Sequence, residues 1–169
     1  MTLATPALNF DAGQALDLPD RLTLLFAVSG CAARGPVHPK DARRVASSRH
    51  CLGTWLRACG VHDHLIEDAE LLLTELVTNA VEHGSVGDVE IRVISSRDSV
   101  MLNVRDGSKA VPRLQAPDTD AEGGRGLLIV DAITRDRGGD WGVSRDNTTT
   151  WCTISSRTEE TRARSQPAP

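Results

Sequence analysis

The sequence predicts an α+β fold: a two-layer α/β sandwich in which helices cover one face of a mixed, mostly antiparallel sheet. Two observations lead to this prediction. Two short segments with alternating apolar residues are joined by a short polar turn, and two later short segments flank another polar turn, as in β-hairpins. Two longer segments repeat apolar residues at helical spacing. Hairpins make antiparallel neighbours, and each amphipathic helix must bury its apolar side against the sheet.

The first half of the chain is predicted to contain one strand and two helices. Apolar residues alternate over residues 22–28, as they do in a half-buried strand. A first helix is predicted between Pro39, which suits a first helical turn, and Gly60, which suits a helix end. A second helix is predicted from Asp63, a capping residue, to about His83.

The second half is predicted to contain two hairpins separated by a short helix. Alternating apolar residues over 89–93 and 100–104 predict the first hairpin. Residues 127–134 are predominantly apolar and predict the helix. Residues 141–144 and 148–155 flank a polar turn and predict the closing hairpin.

We expect the chain to contain one domain over residues 21–156, a flexible leader over residues 1–20 and a disordered tail over residues 157–169. The tail is polar and ends with two prolines in its last three residues, a composition that does not build a core. Residues 107–123 carry no periodic pattern. A long structureless stretch inside a compact domain is usually functional, so we expect a lid there.

Composition excludes several classes of function. Of the 169 residues, 40% are hydrophobic and 25% charged, as in an ordinary soluble domain. The net charge of −4 and the aromatic content of 3% disfavour direct nucleic-acid binding. No apolar run approaches the ~18 residues of a membrane span, and we expect a cytoplasmic protein with no membrane contact. The four cysteines form no Cys-x-x-Cys pair and are expected to be small buried hydrophobes.

Two polar residues of the second predicted helix lie where the apolar stripe should be. On a helical wheel, Asn79 falls inside the edge of that stripe and Glu75 lies one step further out. A buried amide or carboxylate without partners costs roughly 1–3 kcal/mol or more. One interpretation is a helix edge that meets water. The other is a site for a hard cation such as Mg²⁺, which prefers oxygen ligands, with Glu75 acting on a nearby hydroxyl.

Two further motifs follow along the chain, and each has a purely structural alternative. Asp106-Gly107 follows a predicted strand and is either a common turn or a carboxylate that accepts a hydrogen bond from a ligand amine. Gly123-Gly124-Arg125-Gly126 opens the short helix and is either a hinge or a phosphate site, where backbone amides and Arg125 would meet the anion. It matches neither the Rossmann nor the Walker pattern.

Taken in order, these motifs resemble the Bergerat ATP-binding fold of the histidine kinase-like ATPases. The more specific resemblance is to its stand-alone branch, the anti-sigma factor serine kinases of the RsbW and SpoIIAB kind. It is carried by Glu75-Leu-Val-Thr-Asn79-Ala-Val-Glu-His83, Val104-Arg-Asp106-Gly-Ser108 and Glu122-Gly-Gly-Arg-Gly-Leu-Leu-Ile-Val130. Trp141-Gly-Val and Thr149-Thr-Trp151 are similar to the closing strands of that branch.

The resemblance implies a role for each matching residue. Glu75 would be the catalytic general base that activates a serine of a partner protein. Asn79 would ligate Mg²⁺, and Asp106, beside Gly107, would accept from the adenine amino group of ATP, supported through water by Thr149. The ATP phosphates would be lined by Gly124, Arg125, Gly126 and Leu127. The implied partners are a sigma factor, an anti-anti-sigma-type antagonist protein, or both, with a homodimer left open.

The sequence departs from this branch at two places. Ser108 stands where the superfamily often has a second glycine, and Asn147-Thr148-Thr149 replaces the usual Gly-Lys-Thr. Loss of a cation beside the phosphates weakens charge stabilisation in phosphoryl transfer. Three hypotheses follow: an ATP-dependent serine/threonine protein kinase that regulates transcription, a non-catalytic ATP-binding partner switch that sequesters a regulator, and an α+β interaction domain that has lost nucleotide.

Overall fold

A computed structural model of the chain describes residues 21–28, 38–83, 87–108 and 125–156. The predicted leader and tail, Gly124 and nearly all of the predicted lid lie outside these residues. The described residues form, in chain order, β1 (Arg21–Ala27), α1 (Pro39–Ala58), α2 (Asp63–His83), β2 (Asp88–Ser96), β3 (Ser99–Arg105), α3 (Gly126–Asp136), β4 (Asp140–Val143) and β5 (Thr149–Ser155).

The five described strands form one sheet in the order β1-β2-β3-β5-β4. All four pairings are antiparallel, so this sheet is antiparallel throughout, where the prediction was mixed and mostly antiparallel. Both predicted hairpins are present: β2 turns into β3 with Ser96 opposite Ser99, and β4 pairs with β5. The α+β prediction is therefore confirmed.

The core lies between one face of the sheet and the helices. Alternate residues of β2 and β3 are buried and face the helices, and β5 adds Cys152 and Ile154. Helix α2 packs at the centre, in contact with β2, β3, β5 and both other helices. Each large apolar side chain buried there stabilises the fold by roughly 1.5–3 kcal/mol. On α2 the buried residues are Leu65, Ile66, Ala69, Leu72, Leu73, Leu76, Val77, Ala80 and Val81.

The helix boundaries agree with the local signals, with one correction. Helix α1 begins at Pro39, and the His38 ring accepts a hydrogen bond from the Lys40 amide at 3.2 Å. Gly60 has φ +72°, a left-handed conformation that favours glycine just after a helix. Asp63 is the first residue of α2 and does not precede it. The His62 carbonyl accepts the first backbone bonds instead.

Of the described cysteines, Cys152 is buried as expected, whereas Cys51 and Cys59 are half-buried. Cys51, Cys59 and Cys152 are free thiols, and burial raises the pKa of all three, that of Cys152 to about 12. A thiol with such a raised pKa stays protonated and unreactive. Among the described residues, no group of three or more His, Cys, Asp and Glu side chains could hold a metal ion. No described helix has the length and apolar character that crossing a bilayer requires.

Candidate functional site

Helix α2 presents Glu75 and Asn79 to the beginning of α3. Residues four apart on a helix are neighbours on its surface, so the two side chains project from adjacent turns. Gly126 is the first residue of α3. A Cβ atom at Gly126 would lie 2.6 Å from Glu75 Oε2 and 3.6 Å from Asn79 Nδ2. The structure therefore brings together three of the residues predicted for the site.

The Asn79 amide is a donor without an acceptor. Its Nδ2 atom is buried and has no hydrogen-bond partner among the residues that the structure describes. Leaving a buried donor unpaired costs roughly 1–3 kcal/mol, and native proteins rarely do so without a ligand or an ordered water. Because rotation of the amide by 180° exchanges its oxygen and nitrogen, this side chain can present either a metal ligand or a donor at the same place.

Glu75 is half-buried beside this amide. Burial raises the pKa of its carboxyl group, and the negative charge of Glu82 raises it further. Among the described residues, no side chain or backbone group donates a hydrogen bond to it. A carboxylate with a raised pKa holds a proton more readily than one in water, as a general base requires.

Asp106 follows the last residue of β3, where the chain turns. Gly107 has φ +67°, which explains the glycine, and the Ser108 amide donates a hydrogen bond to Asp106 Oδ1 at 2.8 Å. Burial raises the pKa of Asp106, and the backbone hydrogen bonds oppose that effect. Asp106 thus forms a turn, as the structural interpretation requires, and also has the half-buried carboxylate that the ligand-binding interpretation requires.

The first turn of α3 offers backbone amides to an anion. Arg125 occupies the N-cap position without a side-chain cap, and the first turn contains no acidic residue. Unpaired N–H groups and the helix dipole at such an end favour negative charge. The Leu127 side chain is buried, so only its backbone can serve the predicted role. Arg125 is exposed, and Gly124 lies outside the described residues.

The strand register places Thr149 and Thr150 on opposite faces of the sheet. Thr149 pairs with exposed Arg105, whereas Thr150 pairs with buried Val104. Side chains alternate between faces, so Thr150 lies on the helix-covered face and Thr149 on the opposite one. Continued past the end of β3, the same alternation predicts Asp106 on the helix-covered side. The register therefore favours Thr150 as a partner for Asp106, and the contact implied for Thr149 stays a prediction.

Thr150 is thus a second candidate beside Thr149, and the sequence carries a signal for its facing. Cys152 and Ile154 are buried, and counting back from them in steps of two reaches Thr150. The loop before β5 also approaches Asp106, because the Asp106 amide donates to the Thr148 carbonyl at 3.3 Å. The end of β3 and the β4–β5 loop are thereby joined beside the half-buried carboxylate.

The residues described above lie within one family match. The histidine kinase-like ATPase domain family matches residues 38–154, which is more than half of the chain and runs from α1 into β5. No curated protein matches the chain significantly. The matched region contains both polar residues of α2, the turn after β3 and the beginning of α3. The chain belongs to the histidine kinase-like ATPase family, and this membership supports an ATP-binding function.

Proposed function

We propose that this protein is an ATP-dependent serine/threonine protein kinase of the anti-sigma factor type, which phosphorylates an antagonist protein. The observation that carries the proposal is the buried, unpartnered Asn79 amide against Gly126, with the Glu75 carboxyl group beside it. The unpartnered Asn79 amide needs a ligand, which ATP with Mg²⁺ would supply. Phosphoryl transfer needs a base near the bound phosphates, which Glu75 would supply.

The residues present fit ATP and Mg²⁺. Asn79 would hold Mg²⁺ through its amide oxygen, a hard ligand that this cation prefers. When bound, the cation neutralises phosphate charge. The Asp106 carboxylate would accept a hydrogen bond from the adenine amino group. The backbone amides of Gly126 and Leu127 would bind phosphate oxygens at the start of α3, with Arg125 adding positive charge.

Glu75 would act on the acceptor protein. Its carboxylate would take the proton from a serine or threonine hydroxyl as the hydroxyl oxygen bonds to the transferred phosphorus and ADP leaves. The raised pKa of Glu75 suits this task, because a base with a pKa closer to neutrality takes the proton more effectively. Asn79, one turn further along α2, would keep the phosphate within reach of that hydroxyl.

We propose a sigma factor, an anti-anti-sigma-type antagonist, or both as the partner, and a cytoplasmic role in transcription regulation. The resemblance of the α2 and α3 motifs to the stand-alone anti-sigma kinases supports this choice. The homodimer remains an expectation from the same resemblance.

A second candidate is a non-catalytic ATP-binding switch in which nucleotide selects the partner. It is favoured by the residues before β5. Thr148 stands where the related kinases have lysine, and its hydroxyl donates to Asp146 Oδ2 at 2.9 Å. A neutral hydroxyl that is already bonded supplies no positive charge to phosphoryl transfer.

The test separates ATP binding from catalysis. Calorimetry with ATP and Mg²⁺ should show binding by wild type and, nearly unchanged, by Glu75→Gln. Transfer of labelled γ-phosphate to serine in a host-protein extract should occur with wild type and fall by about 100-fold or more in Glu75→Gln, the usual scale for loss of a general base. Glu67→Gln, an exposed change on the same helix, is the matched control.

Each outcome has a definite meaning. Binding without transfer by wild type would reject the kinase and support the switch. Absence of binding to wild type would reject both. Loss of binding in Glu75→Gln would make Glu75 a binding residue and not the base.

A further inference from the structure

Gly126 is a glycine for reasons of space and not of conformation. It is the first residue of α3, and its φ is not in the left-handed region that favours glycine. An alanine would suit a helix better, by up to about 1 kcal/mol. However, a Cβ atom there would lie 2.6 Å from Glu75 Oε2, too close to be tolerated, so the flexible end of the Glu75 side chain would have to move. The absent side chain therefore leaves room for the Glu75 carboxylate.

No other described contact holds that carboxylate in place. Within the part of the chain that the structure describes, Glu75 forms no ion pair and accepts no hydrogen bond. The charged group that acts on it is Glu82 of the same helix, which repels it. Packing against the backbone of Gly126 thus limits where the carboxylate can lie, and the Asn79 amide nitrogen is also near, at 3.6 Å from the same Cβ position.

We propose that Gly126 is a positioning residue for Glu75: the bare backbone at the start of α3 sets the place from which the Glu75 carboxylate meets the acceptor hydroxyl. This inference rests on the proposed kinase function. It assigns to Gly126 a role toward a side chain of α2, in addition to the phosphate contact expected of its backbone amide. The same role explains why the first residue of α3 lies close to α2 without a side chain between them.

The chain offers a matched control for the packing itself. Gly53 of α1 also meets a glutamate of α2, since a Cβ there would overlap Glu70 Oε1. Glu70 forms an ion pair with Arg57, at 3.6 Å, and takes no part in the proposed site. Gly53→Ala therefore introduces the same kind of overlap at a place where only stability should respond.

The experiment compares wild type with Gly126→Ala, Gly53→Ala, Glu75→Asp and the double variant Gly126→Ala/Glu75→Asp. Phosphoryl transfer is measured as kcat and as KM for ATP. We expect Gly126→Ala to lower kcat by about 10- to 100-fold, since a misplacement of ~1 Å can cost 10²-fold. KM for ATP should change by less than about twofold, because uniform ATP binding is not removed. Gly53→Ala should lower the midpoint of thermal unfolding and leave kcat unchanged.

The double variant decides between positioning and general damage. Glu75→Asp removes one methylene and so makes room for a methyl group at residue 126. In that background, Gly126→Ala should reduce kcat by less than about threefold, a non-additivity expected of residues in contact. Equal loss in both backgrounds, or an equal kcat loss in Gly53→Ala, would overturn the proposal.

A second readout does not depend on catalysis. The free energies of unfolding of four of these forms, wild type, Gly126→Ala, Glu75→Asp and the double variant, should show coupling between residues 75 and 126. Additive free energies would overturn the contact. Suppose that the unfolding free energies show coupling, but wild type binds ATP and transfers no phosphate. That result would overturn the kinase function and the positioning role, while the packing contact would stand.

Discussion

Asp106 and Glu75 are both half-buried carboxyl groups with raised pKa values, but they have different neighbours. Asp106 accepts a backbone hydrogen bond within its own turn, which fixes one oxygen in direction. Glu75 lies against the bare backbone of Gly126 and next to an unpaired amide. A carboxylate with one oxygen held by a backbone amide suits recognition of a ligand amine, and a carboxylate placed by packing alone keeps both oxygens available for proton transfer.

Asp106→Asn should abolish adenine recognition, because the amide can place a donor where the adenine amino group needs an acceptor. We expect ATP affinity to fall by about 100-fold or more, the scale of losing a charge-assisted hydrogen bond and leaving a donor unpaired. Calorimetry with ATP and with GTP measures this. ATP affinity within threefold of wild type would show that Asp106 only stabilises its turn.

Thr150 is expected to matter more for ATP binding than Thr149, because Thr150 pairs with buried Val104 on the helix-covered face, where Asp106 is predicted to lie. Thr150→Val keeps the side-chain shape and removes the hydroxyl. ATP affinity should fall by about 3- to 10-fold, the value of one hydrogen bond. Thr149→Val is the matched control on the opposite face. A larger loss in Thr149→Val would support the role that the sequence implied for Thr149.

The β4–β5 loop contains a carboxylate that accepts several of the hydrogen bonds of the loop. Asp146 accepts hydrogen bonds from the Ser144 hydroxyl and from both the amide and the hydroxyl of Thr148. These bonds lower the pKa of Asp146 from 3.8 to about 2. The same loop is bonded to Asp106, whose amide donates to the Thr148 carbonyl. The exposed Asp146 carboxylate thereby helps to stabilise the loop that is bonded to Asp106.

The pH dependence of this contribution follows from the direction of the shift. The folded-state pKa of Asp146 is below its unfolded value. Its contribution to stability is therefore complete above about pH 4 and is lost as pH falls toward 2. Thermal unfolding of wild type and Asp146→Asn should differ at pH 7 and converge near pH 2. Asp88→Asn, at an exposed strand end, is the control. A difference that persists at pH 2 would mean that the substitution acts through something other than this charge.

At the scale of the whole molecule, the two layers depend on one side of α2. Leu72 is 0% exposed and belongs to the core, while its neighbour Leu71 is 41% exposed. Leu72→Ala should reduce the free energy of unfolding by about 2–5 kcal/mol, because it removes buried apolar surface and leaves a cavity. Leu71→Ala should cost less than ~1 kcal/mol. Urea unfolding measures both, and similar losses would contradict this arrangement of the layers.

The sequence by itself determined the kind and order of the elements and the polar positions on α2. Burial imposes a period of two on strands and of 3.6 on helices, and both periods can be read locally. Asn79 was assigned to the edge of the apolar stripe for that reason, and the structure places its amide nitrogen in a buried position. Gly107 was likewise predicted in a turn, and its positive φ agrees.

Only the tertiary structure decided which residues meet across elements. The choice between Thr149 and Thr150 depends on strand register, where a shift of one residue exchanges the two faces. The contact between Gly126 and Glu75 depends on how closely α3 approaches α2, and no local period encodes that distance. Hydrophobic periodicity specifies which face of each element is buried. Packing of those faces against one another determines which polar groups are left side by side.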